Sequence, residues 1–151
     1  MKSLSSVLQV ETFNSTKKRA GVAVKLIESG KIHAHWKGAA EIVLRESETA
    51  LSLDNSRIPI TEAMRNDLVN VIDGMAAQSL LCIAFGYCEI EGFDVPNVAE
   101  LEHLRILEWP LTLIAIVGIK DPCRPGVMEA VQSCQNAGVV VRMVTGDNLA
   151  T

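Results

Sequence analysis

The chain has 151 residues, 48% apolar and 21% charged, which is the balance of a globular protein with room for one domain and part of another. A net charge of −4 argues against the strongly basic surface of a nucleic-acid binder, and none is expected as a partner. Mean hydropathy is high at +0.23, yet the longest apolar run, residues 111–119, is interrupted by Thr112 and is about half of the roughly 20 residues that a membrane-spanning helix needs. Residues 1–6 lack the apolar core of a signal peptide.

Charge is unevenly placed. Residues 1–37 hold seven basic and two acidic side chains, and the remainder holds seven basic and sixteen acidic. An anion-binding surface fits the first quarter, and so does plain solvation of strand faces. Residues 7–13 and 21–27 are rich in β-branched and apolar side chains, and 32–36 alternate apolar with polar. Ser29-Gly30 is a hairpin signal between the last two, so these segments read as antiparallel strands. Gly38 opens a short amphipathic helix through Leu44, and a polar loop is expected over 46–57. Thr61 is placed to cap a helix reaching Ala77, with Met64, Leu68, Val71, Ile72 and Met75 on one face. Residues 80–87 read as a buried strand. The acidic stretch 89–110 is expected to hold a short helix around 99–107, with a domain boundary at its end.

Beyond that boundary the pattern changes. The run 111–119 suits a strand covered on both faces. Pro125 fits the first turn of a helix to Ala137, Gly138 ends it, and 139–144 reads as a second strand. Strand–helix–strand is the unit of a parallel sheet with a right-handed crossover. With too little chain to cover both sheet faces, 110–151 is expected to be partly exposed and to exchange its amides quickly. Cys82, Cys88, Cys123 and Cys134 show no Cys-x-x-Cys spacing and are expected to be reduced and mostly buried.

Several residues carry candidate chemistry. Thr145, Gly146 and Asp147 form a small polar turn after a predicted parallel strand, where such sheets bind phosphate. Gly146 reads equally as the turn residue, with Asp147 or Asn148 capping a helix. Asp121 and Arg124 follow the neighbouring strand, either as part of a site or as a brace for their own loop. Phe13 lies five residues before Lys18, and Lys37 stands at a strand-to-helix junction. An aromatic face stacks a base with about 1–3 kcal/mol, and lysines meet phosphates as point charges. Singly, each also reads as a core aromatic or a solvated strand end. His33 and His35 share one strand face without a third ligand nearby in sequence, so no metal site is expected.

Taken together, four stretches resemble the cytoplasmic head of P-type cation-transporting ATPases. Phe13-Asn-Ser-Thr-Lys-Lys-Arg19 and Lys37-Gly-Ala-Ala-Glu41 are similar to motifs of its nucleotide-binding domain. Gly118-Ile-Lys-Asp-Pro-Cys-Arg-Pro125 and Met143-Val-Thr-Gly-Asp-Asn148 are similar to hinge and phosphorylation-domain motifs. His33-Ala-His-Trp-Lys-Gly38, Met75-Ala-Ala-Gln-Ser-Leu80 and the stretch from Ala115 to Gly126 resemble plant autoinhibited, calmodulin-regulated calcium pumps almost word for word.

The resemblance implies an α/β fold. Residues 1–109 would be most of an α+β nucleotide-binding domain with an antiparallel sheet. Residues 110–151 would be an incomplete parallel β-α-β unit of a HAD-like phosphorylation domain. It further implies that Phe13 stacks on adenine, that Lys18 and Lys37 line an ATP pocket, that Asp121 and Arg124 belong to the hinge side, and that Thr145, Gly146 and Asp147 approach the terminal phosphate. The intact pump would use ATP and Mg²⁺ to move Ca²⁺ across a plasma membrane or endomembrane, while this chain alone is expected to be soluble and cytoplasmic. No aspartate is followed by Lys-Thr-Gly, so the phosphorylated nucleophile of the family is not in this sequence. No hydrolysis by that route is expected of the chain. The resemblance also implies a phosphate-contacting arginine where this chain has Leu81, a loss of about 1.5–3 kcal/mol, so ATP binding is expected to be weak or absent. The rival expectation is a nonenzymatic interaction module that meets a protein partner through exposed C-terminal strands.

Overall fold

A computed structural model of the chain describes residues 4–90 and 110–144. It is mixed α and β. In chain order the elements are β1 (Ser5–Asn14), β2 (Arg19–Leu26), β3 (Ile32–Ala39), α1 (Ala40–Arg45), β4 (Ser47–Leu51), β5 (Arg57–Pro59), α2 (Glu62–Ala76), β6 (Leu80–Ile90), β7 (Leu111–Lys120) and α3 (Val127–Asn136). The strands form one seven-stranded sheet in the order β1-β2-β3-β6-β7-β4-β5, antiparallel except between β4 and β7.

The first three strands pair as their alternation predicts. Gly30 closes the β2–β3 turn at φ +70°, a conformation open to a residue without Cβ. Alternation then divides the sheet. Ala23, Ala34, Trp36, Cys82, Ala84 and Cys88 point to one face and are buried. Helices α1 and α2 lie on that face through Ala40, Val43, Leu44 and Ile72. Thr61 caps α2 as its sequence suggests, its hydroxyl accepting from the Met64 amide at 3.2 Å. Met64, Leu68, Ile72 and Met75 form the packed stripe, whereas Val71 is turned out to solvent. Arg65 on α2 ties the layers together by donating to the carbonyls of Leu44 (2.5 Å) and Ser47 (2.8 Å).

Two strands lie in what reads as a polar loop. β4 (Ser-Glu-Thr-Ala-Leu) and β5 (Arg-Ile-Pro) are short and half polar, with Ala50 the one apolar residue of the two strands that reaches the core, so their pairing comes largely from neighbours. Ser47 is buried because its hydroxyl donates to the Val43 carbonyl at 2.7 Å, and Thr49 meets Thr112 across the ladder at 2.9 Å.

The other differences concern the chain beyond residue 109. β7 does not start a separate parallel unit. It inserts between β6 and β4, antiparallel to the first and parallel to the second, with Phe85 opposite Ala115 and Leu81 opposite Ile119. Its first three residues are buried, and the rest is largely open. Residues 139–144, expected as the second strand, belong to no ladder and are exposed. The helix between them is present and ends at Gly138, which has φ +79°, but it buries no side chain. Cys82 and Cys88 are buried as expected, while Cys123 and Cys134 are exposed; all four are free thiols. The predicted helix around 99–107 lies outside the described residues, as does residue 109 at the predicted boundary.

Two measurements check this architecture. Amide exchange is expected to be slow along β7, at least where it pairs with β6, and faster over 121–144 by on the order of a hundredfold or more. Gly38→Ala is expected to lower stability by about 1–3 kcal/mol in urea titration, because the added Cβ would stand 2.5 Å from the Lys18 carbonyl oxygen.

Candidate functional site

The antiparallel register brings one end of every central strand together. The end of β1, the start of β2, the end of β3, the start of β6 and the end of β7 lie along the same sheet edge. Phe13, Lys18, Lys37, Leu81 and Asp121 therefore collect at that edge, although 108 positions separate the first from the last.

Lys18 and Lys37 are joined by backbone geometry. Asn14 folds the β1–β2 turn, its side-chain oxygen accepting from the amides of Thr16 (2.8 Å) and Lys17 (3.1 Å). Lys18 completes the turn at φ +50°, an uncommon conformation for a residue with a side chain. Its amide donates to the Asn14 carbonyl at 2.6 Å, and its own carbonyl accepts from the Ala39 amide at 3.0 Å. Gly38 makes this approach possible, since any Cβ there would also fall 2.7 Å from the Arg19 Cβ. The lysine loop thus sits directly against the Lys37-Gly38-Ala39 stretch.

Lys37 rises on the sheet face that carries no helix. Its cross-strand neighbours are Ala20 on β2 and Phe85 on β6. An open cleft of about 400 Å³ lies here, lined by Val10, Ala20, Val22, His35, Lys37 and Phe85 together with the strand segments of Glu11, Thr12, Gly21 and Trp36. That volume is within the roughly 300–1,000 Å³ of small-molecule sites. Alternation puts Leu81 on the same face, four residues and ~13 Å along β6 from Phe85.

The predicted residues do not all line the cleft. Phe13 is 67% exposed near the end of β1, within the register shift between Glu11 and Asn14, and does not line it. Lys18 is half-buried beside it. Asp121 and Arg124 are exposed in the loop after β7, on the same sheet edge. Thr145, Gly146 and Asp147 lie outside the described residues. Sequence reasoning missed Val10, Val22 and Phe85 as walls, and weighed His35 only as a metal ligand. The alternation of β3, which sets His35 two residues before Lys37, was the available signal.

Along β3 from Lys37 runs a polar row. His33 and His35 have ring centroids 6.0 Å apart, and both stack on Tyr87, at 6.2 and 6.4 Å. Arg57 donates to the Tyr87 hydroxyl at 3.1 Å and to Glu89 at 2.9 Å, and Lys31 also pairs with Glu89. Burial, with the neighbouring His33 adding, holds the His35 imidazole below its ordinary 6.5. The hydrogen bond from Lys31 chiefly holds the Glu89 carboxyl below its ordinary 4.5, with Arg57 contributing.

The chain matches the family described as "P-type ATPase, cytoplasmic domain N" over residues 2–126. It therefore belongs to the P-type ATPases. It is 49% identical over 150 residues to "Calcium-transporting ATPase 8, plasma membrane-type" of Arabidopsis thaliana, covering 99% of this chain and 14% of that protein. It is likewise 49% identical over 148 residues to "Calcium-transporting ATPase 5, plasma membrane-type" of Oryza sativa subsp. japonica, covering 97% of this chain and 14% of that protein. The chain thus spans about one seventh of the length of these relatives. Among the described residues, no helix is long and apolar enough to cross a membrane.

Both shifted groups make the fold acid-sensitive. Because the folded His35 takes its proton at lower pH than the unfolded chain, its stability contribution is present above pH 6.5 and is lost as pH falls through the folded value. Glu89 adds a second loss as pH falls below 4.5. The urea midpoint is expected to decline in two stages, His35→Gln removing the upper and Glu89→Gln the lower.

Proposed function

We propose that this chain supplies a nucleotide-binding surface of a calcium-transporting P-type ATPase and holds ATP on the open sheet face. The observation that carries the reading is the join between Lys18 and Lys37 through Gly38, beside a cleft of nucleotide-compatible volume. In this reading the apolar cleft walls take the base and Lys37 attracts the phosphates, while Phe13 closes over the base from the β1 end. Lys18 adds positive charge at the sheet edge. Asp121 and Arg124 would flank the phosphate end, and Thr145, Gly146 and Asp147 would approach the terminal phosphate. β7 is the last strand of the nucleotide-binding sheet, and the loop at 121–125 is the passage toward the phosphorylation domain. In the whole pump, ATP with Mg²⁺ would drive Ca²⁺ transport, with this surface on the cytoplasmic side of the membrane.

A second reading, a nonenzymatic protein-interaction surface, is favoured by one feature. Leu81 is 43% exposed next to Ile119, also exposed, so the position where the family resemblance implies an arginine is an apolar patch. ATP titration followed by amide shifts separates the two. The nucleotide reading expects a dissociation constant on the order of 1 mM or tighter, weakened roughly ten- to a hundredfold by Lys37→Ala and tightened by a similar factor by Leu81→Arg. No response at several times that concentration would leave the interaction reading standing.

A further inference from the structure

Of the residues that line the cleft, Val10, Ala20, Val22 and Phe85 are apolar, Glu11 and Thr12 come from β1, and the two basic ones are Lys37 and His35. His35 lies two residues from Lys37 on one strand, so their Cα atoms are ~7 Å apart on the same face. A polyanion seated beside Lys37 therefore has the His35 imidazole as its other basic neighbour in the cleft lining. We propose that His35 is a second ligand-facing group of this cleft, and that it binds the nucleotide in its imidazolium form, so that ATP binding takes up a proton. The proposal rests on the nucleotide reading above and deepens it.

The charges around His35 support this role. His33 and Lys37 flank it on β3, and Tyr87 stacks on it from β6. Beyond Tyr87, Glu89 is engaged by Lys31 and Arg57, so that carboxylate is already matched by two cations. On β1, Glu11 is paired with Lys17 at 2.8 Å, and its register partner Gly21 lies opposite Trp36 on β3, the row of the helix-covered face. On β2, His35 meets Val22. Without ligand, no unmatched carboxylate among the described residues stands over the imidazole, which agrees with its preference for the neutral form. A bound triphosphate supplies the missing negative charge. At ~8–10 Å in a half-solvated cleft, that charge favours the proton by a factor of about three to ten. By linkage, protonation of His35 tightens ATP by the same factor.

The test uses the whole chain and ATP without added magnesium. The dissociation constant is measured from pH 8 to pH 5.5 for the wild type, His35→Gln and His35→Lys. The ligand's own protonation is common to all three, so it cancels in the ratios. The wild type is expected to gain about three- to tenfold on His35→Gln as pH falls. His35→Lys is expected to bind tightly throughout, with no such gain. The His35 imidazole, followed by its NMR resonances, is expected to titrate at higher pH when the chain is saturated with ATP. A His35→Gln profile parallel to that of the wild type, or a His35 titration that ATP does not move, would overturn the proposal while leaving the nucleotide reading intact. Failure of ATP to bind at any pH would overturn both.

Discussion

The fold and the candidate site both depend on the close approach of β2 to β3. Trp36 is 2% exposed beneath Gly21, where an added Cβ would stand 2.7 Å from the indole ring, and the Arg19 guanidinium stacks 4.4 Å from the centre of that ring. Two residues further along β3, Gly38 admits the Lys18 carbonyl. With the indole fixed on the helix-covered side, strand alternation has no choice about Lys37 or His35: both must rise on the open side. A bulky aromatic buried on one face thus places the polar groups on the other. Loss of either glycine would separate the strands and move Lys18 away from Lys37 together with the register.

The second organising feature is the place of β7. An apolar run suited to burial on both faces meets an incomplete second layer here. Only its first residues, Leu111 to Leu113, find cover, and Ile114, Val117 and Ile119 remain open. Pairing with β6 nevertheless brings the loop carrying Asp121 and Arg124 to the sheet edge where Lys18 and Lys37 lie. The same strand carries the exposed apolar residue opposite Leu81. Whether the edge attracts phosphate or an apolar partner is thereby concentrated in one side chain.

Much of this was legible before any coordinates. The β1–β2–β3 meander, the Thr61 cap, the stripe of α2 and the helix ended by Gly138 each follow from local pattern, because residues a few positions apart decide them. The short, half-polar strands β4 and β5 were not legible. Ser47 is held by the Val43 carbonyl one helical turn back, but Thr49 is held by Thr112, 63 positions away, and that partner is not written in its own neighbourhood. Residues 139–144 err in the opposite direction. Their valines have strand propensity, but no strand in the described sheet offers them a ladder, and propensity alone does not hold a strand.

The sequence by itself determined the family and the residue types at the site, because motifs, spacing and alternation survive as text. It determined that Lys37 and His35 share a face, since a strand repeats every two residues. Tertiary structure decided which residues meet: Lys18 with the Gly38 backbone, Phe85 with Lys37, and Leu81 with Ile119. It also decided that β7 enters this sheet between β6 and β4 and that Phe13 stands outside the cleft. Those outcomes depend on register between strands far apart in the chain, and register is settled only when every strand competes at once to bury its apolar face and satisfy its backbone hydrogen bonds.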